Sequence, residues 1–118
     1  MRYLCMIYVE RDRLDALGES EYEALVAEAL AYDEELRCGG HFVVAQALEP
    51  ADAAMTVRLR NGKPSVTDGP FVETKEQVGG FILMEARDLN EAIQLAAKIP
   101  PARFGGVEVR PVKEIVPS

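Results

Sequence analysis

The chain has 118 residues, 48% of them hydrophobic and 28% charged, a balance that fits one folded domain (1–118) with a single core and excludes a disordered chain. Its formal net charge of −7 repels phosphate backbones and anionic lipid headgroups, so neither nucleic acid nor a membrane is expected as a partner. Cys5 and Cys38 stand far apart with no Cys-x-x-Cys motif, as expected of a cytoplasmic protein with free thiols.

The opening "MRYLCMIYV" is apolar but too short for a membrane span, and it runs straight into the charged "ERDR" with no small-residue cleavage site. Residues 3–9 therefore read as a first strand, apolar on both faces. After a loop, Ser20 and Glu23 have the spacing of a capping box. Tyr22, Leu25, Val26, Ala29, Asp33 and Leu36 then recur at helical spacing with one polar break, and Gly39 or Gly40 supplies the stop of a helix over about 21–38. "HFVVAQAL" (41–48) is a second strand, ended by Pro50. In "AMTVRLR" (54–60) Met55, Val57 and Leu59 alternate with Thr56, Arg58 and Arg60, predicting an inward apolar face and an outward polar one. Asn61-Gly62 then turns the chain back through "KPSVT" as a hairpin. "VGGFILMEA" (78–86) is again apolar on both faces, and its paired glycines predict a bulge or a close approach. Asp88 and Glu91 open a second helix with the stripe Leu89, Ala92, Ile93, Ala96 and Ala97, which Pro100 and Pro101 stop. "VEVRPVKEI" (107–115) is a last strand, with Pro111 favouring a sheet edge or a bulge.

The order β-α-β-hairpin-β-α-β predicts an α+β, ferredoxin-like sandwich with an inserted β-hairpin. Two helices cover one face of such a sheet, yet Leu4, Met6 and Tyr8 make the other face of the first strand apolar as well. An identical sheet is the economical cover, so a homodimer with a cavity between its sheets is expected.

Between the hairpin and the next strand, "TDGPFVETKE" (67–76) spends ten residues where a tight turn would do. In Asp68-Gly69-Pro70, glycine lets the backbone turn and proline fixes it. The carboxylate is thereby held either as a general base or as an ordinary turn former bonding nearby amides. Glu73, Lys75 and Glu76 are either substrate-facing charges or the solvated side of the loop, and Phe71 is expected to fill core or interface.

"TDGPFVETKE", then "GGFILMEARDLNEAIQLAAKIP", then "GGVEVRPV", in that order, closely resemble the DGPF-motif branch of the YCII-related family over essentially the whole chain. The resemblance implies the dimeric α/β-barrel superfamily of ferredoxin-like folds. It also implies bacterial cytosolic proteins, some encoded near extracytoplasmic-function sigma factors. In YCII-type proteins a histidine and an aspartate meet in a cleft. Asp68 matches that aspartate, whereas the single histidine, His41, follows the helix-ending glycines instead of lying on the first helix.

The candidate catalytic residues are thus Asp68 and His41, with Lys75, Glu73, Arg110 and Tyr32 as candidate ligand-binding residues. His41 has no ligand cluster around it, so no metal is expected, and the absence of a phosphate loop or dinucleotide fingerprint gives no reason to expect a cofactor. Two function classes follow. One is an enzyme acting on a small organic molecule through Asp68; the other is a non-catalytic ligand-binding or accessory protein of a sigma-factor circuit.

Overall fold

A computed structural model describes residues 1–117. Strand β1 (Arg2–Glu10) runs into a short helix α1 (Arg11–Asp15), where the sequence predicts a loop. Helix α2 (Glu19–Cys38) and strand β2 (Phe42–Ala47) follow, then the hairpin β3 (Met55–Arg60) and β4 (Lys63–Asp68). Strand β5 (Glu76–Glu85), helix α3 (Leu89–Ala96) and strand β6 (Gly105–Pro111) close the chain. Strands β1, β2, β5 and β6 form one antiparallel sheet in the order β2-β5-β1-β6, and β3 pairs with β4 alone. Each long helix crosses over one intervening strand, the split βαβ arrangement of the ferredoxin-like fold.

Alternation decides the core. Tyr3, Cys5, Ile7 and Val9 of β1 turn towards the helices and are buried with Ile82 and Met84 of β5 and Leu25, Tyr32 and Leu36 of α2. Leu4, Met6 and Tyr8 turn the other way, as predicted, where they are partly exposed and no helix or second sheet among the described residues is layered over them. Register puts Phe81 and Leu83 of β5 on that open face, with Glu108 and Arg110 of β6 opposite Met6 and Leu4. Beside this face β6 is an edge strand, which suits Pro111. It ends there, four residues before the predicted limit.

Helix α2 begins two residues earlier than the capping-box spacing suggests. Gly18 is its N-cap, and the Gly18 N–H donates to Glu21 Oε1 at 3.2 Å. Ser20 therefore lies inside the first turn. Glycine has no side chain to cap with, so only the returning half of a box is present. At the other end Gly40 N–H donates to the Arg37 carbonyl and His41 N–H to the Leu36 carbonyl, a Schellman closure. Helix α3 starts as predicted, with Asp88 Oδ1 accepting from Glu91 N–H at 2.8 Å.

The hairpin corrects a prediction. Met55, Val57 and Leu59 do share a face, but it is not an inward one: they are 58%, 60% and 75% exposed. Their cross-strand partners Asp68, Val66 and Pro64 lie on the same face. Alternation reports two unlike faces; it does not report whether the same chain supplies a cover.

Candidate functional site

An apolar hollow of about 660 Å³ lies between α2 and the sheet, on the helix side. It exists because α2 carries two stripes. Leu25, Tyr32 and Leu36 enter the core, while Tyr22, Val26, Ala29 and Asp33 form a second row one side further round. Small residues set the floor: Ala45 and Ala47 of β2 and Gly79 and Gly80 of β5 leave room where larger side chains would close the gap. The two glycines also make the predicted bulge, since Ile7 pairs with Gly80 but Tyr8 with Val78. A Cβ on Gly80 would sit 2.9 Å from the Gln46 carbonyl oxygen. Close approach of β2 and β5 is therefore the reason for that glycine.

Asp33 is the cleft's half-buried ionisable group, and burial raises its carboxyl above the ordinary aspartate range while Arg37 pulls the other way. It makes no side-chain hydrogen bond or ion pair among the described residues; the Arg37 guanidinium pairs with Glu34 instead. Sequence reading sees Asp33 only as the polar break in a helical stripe. A charge on an apolar row was the available signal.

The residues singled out from sequence are spread across the molecule. Asp68 is exposed at the end of β4 and its carboxylate has no hydrogen-bond partner among the described residues, so it is not bonding its own loop amides. The loop is held by other means: Gly69 N–H donates to the Ala54 carbonyl at 2.7 Å, Thr56 Oγ1 to the Gly69 carbonyl, and Gln77 Nε2 to the carbonyls of Val72 and Thr74. Gly69 has φ +99°, which explains that residue but not the aspartate before it. Glu73 and Lys75 are exposed on the same loop. Phe71 is 65% exposed with the Arg58 guanidinium 4.3 Å from its ring centre, so within one chain it fills no core.

His41 lies at the far end of β2, a strand about 20 Å long at six residues, so one chain does not bring it to Asp68. Its Nδ1 is 2.8 Å from the Glu85 carbonyl oxygen, which can only accept, so Nδ1 carries the proton. Tyr32 is buried with its hydroxyl donating to the Leu95 carbonyl at 2.7 Å, and burial foremost pushes its pKa up to about 12. Arg110 pairs with Glu108 at the edge of the open sheet face. Cys5 is buried, with its thiol pushed up to about 11, and Cys38 is exposed; both are free. No cluster of metal-ligating side chains occurs among the described residues, and no helix there is long and apolar enough to cross a membrane.

A second hollow, about 730 Å³ and more open, lies beside the Asp68 loop between Tyr8, Pro50, Ala54, Phe71 and Gln77. The segment 48–51 borders both hollows, and Asp68 lines neither.

Comparison with known proteins agrees with this architecture. The model of the YCII-related domain matches residues 1–116. An uncharacterised protein of Rhizobium meliloti (strain 1021) is 33% identical over 114 residues, spanning 95% of this chain and 92% of the relative. Among solved structures, 5-chloro-2-hydroxyhydroquinone dehydrochlorinase (TftG) of Burkholderia phenoliruptrix AC1100, in complex with 2,5-dihydroxybenzoquinone, superposes with a TM-score of 0.56. That likeness covers 96% of this chain and 94% of the other at 20% identity, and it supports the ferredoxin-like α+β fold.

Proposed function

The chain belongs to the YCII-related family, and from that premise we propose that it binds a small, largely apolar organic molecule in the cleft beneath α2 and offers it acid–base chemistry. The observation that carries this reading is the cleft itself. Its volume, about 660 Å³, lies in the range of ligand sites, and its walls are mainly apolar with a few polar groups among them. The dehydrochlorinase of the same fold was solved with a dihydroxybenzoquinone, and a single substituted ring of that kind is well within the space available here. Within that family we assign the chain, as part of this proposal, to the DGPF-motif branch, supported by "DGPF" at 68–71.

The protein acts as a cytoplasmic homodimer in this proposal. Its open sheet face takes a second copy, which leaves the helix-side cleft free. Asp68 shares a face with Met55 and Val57, so the hairpin that covers the partner also carries this carboxylate into the interface. Asp68 and His41 meet only if a residue of each copy contributes. The separation of these two residues within one chain favours a second reading, in which the cleft binds a ligand without turning it over.

A filling substitution tests the proposal. Ala29→Trp adds bulk to the α2 wall while leaving the buried stripe untouched. A panel of hydroxylated, carbonyl-bearing and amine-bearing ring compounds should contain members that raise the melting temperature of the wild type but not of the folded variant. If every stabilising compound acts equally on both proteins, or none acts at all, the cleft is not the site.

A further inference from the structure

We propose that Asp33 is the anchor for the polar end of the cleft's ligand, and that the cleft takes an apolar molecule bearing an amine. This rests on the cleft being the binding site. The apolar walls explain affinity for a hydrocarbon body but not which head group is accepted; the ionisable lining decides that. Asp33 is half-buried among Ala29, Leu30 and the floor of the sheet, with neither an ion pair nor a hydrogen bond to relieve its desolvation. Burial raises the carboxyl pKa, and the nearby Arg37 charge offsets that only in part.

Arg11 is the basic side chain on the lining, and its guanidinium is already 2.9 Å from Asp15. The remaining charged groups on the rim, Glu49 and Asp52, are also acidic, and neither makes an ion pair among the described residues. A carboxylate or phosphate ligand would thus meet like charge with no free cation to receive it. An ammonium group supplies what Asp33 lacks, both opposite charge and N–H donors, and a charge-assisted bond inside an apolar cleft is stronger than one in open water. The overall charge of −7 draws a cation in the same direction.

Three probes of one shape separate the possibilities: 2-naphthylmethylamine, 2-naphthylmethanol and 2-naphthoate, titrated into the full chain near neutral pH and followed by amide chemical shifts. The amine is expected to shift resonances of Ala29, Ala47 and Gly80 and to bind about tenfold more tightly than the alcohol, with the naphthoate weakest. Asp33→Asn should bring the amine down to the level of the alcohol and leave the alcohol unchanged. If the alcohol or the naphthoate binds as tightly as the amine, the cleft stands as a site and the amine assignment falls. An Asn variant that keeps the full preference for the amine also overturns it, because a rim carboxylate would then be responsible. If no probe shifts the cleft resonances, the small-molecule reading fails and this inference fails with it.

Discussion

Asp68 looks in the sequence like a group held by its turn, yet its side chain holds nothing in the folded chain. The Gly69 amide and carbonyl, Thr56 and Gln77 secure the loop instead. Asp68→Asn and Asp68→Ala should therefore both leave thermal stability of the separated chain within about 0.5 kcal/mol of wild type, as at most exposed positions. A loss above about 1 kcal/mol in the Ala variant alone, measured by denaturant unfolding, would restore the turn-former reading. Asp33 behaves differently. Its folded pKa is raised, so the proton is held more tightly in the native state, and the associated stability is present at low pH and lost as pH rises through the folded value. At neutral pH the buried charge is a net cost. Asp33→Asn should then melt above the wild type at pH 7, and the gap should close as pH falls below the ordinary carboxylate range. A gap that widens on acidification contradicts the sign. The contrast explains what was legible at this scale. Local chemistry pointed to Asp68 because glycine and proline surround it. Asp33 became visible only when the helix row containing it was seen to overhang a floor of alanine and glycine.

Secondary-structure elements were the most readable level, because hydrophobic period and stop signals act locally. The double-faced strands β1 and β5, the Asp88 cap and the glycine stop of α2 all follow from residues within a few positions of each other. What failed was whatever depends on a distant surface. The inward face assigned to β3 is exposed, with no cover among the described residues, and the start of α2 was set by a glycine N-cap that leaves a weaker signature than serine. The paired glycines of β5 were legible as an irregularity, and the structure supplies the cause. Gly80→Ala would place a methyl carbon 2.9 Å from a backbone oxygen of β2, which cannot rotate away as a side chain could. Relief requires the β2–β5 ladder to open, at a cost of about 1–3 kcal/mol, in the range of overpacked cores. Chemical denaturation should show this loss, and amide exchange should quicken first in β2, the edge strand. Unchanged exchange in β2 would mean that the strand pair absorbs the methyl without opening.

At the scale of the whole molecule the chain is too extended for its length. Its radius of gyration is 16.2 Å, where about 13.5 Å is usual for 118 residues, and it measures 49 × 47 × 18 Å. The excess comes from the sheet with one face not layered and from the β3–β4 hairpin, which pairs with no other strand. An isolated two-stranded hairpin is marginal in water, so this one needs a surface to lie on. The open face of the sheet and the Met55–Val57–Leu59 face are both apolar, and two-fold symmetry lets each copy offer both to the other. In the proposed dimer the driving force is burial, since each copy carries −7 and association brings like charges together. Added salt should therefore tighten the dimer by screening that repulsion, the reverse of what an ion-paired interface shows. Sedimentation at micromolar concentration is expected to give about twice the chain mass. Leu59→Asp should weaken the dimer sharply, because symmetry counts the substitution twice and burying a leucine contributes about 1.5–3 kcal/mol. The doubled loss, about 3–6 kcal/mol, corresponds to roughly a hundred- to ten-thousandfold in the dissociation constant. The variant should retain its cleft, because the hairpin lies apart from the helix side of the sheet, and its amine affinity should match the wild type. A wild-type protein that sediments as a monomer, or a dimer that salt disperses and Leu59→Asp leaves intact, would mean that these apolar faces meet something other than a second copy.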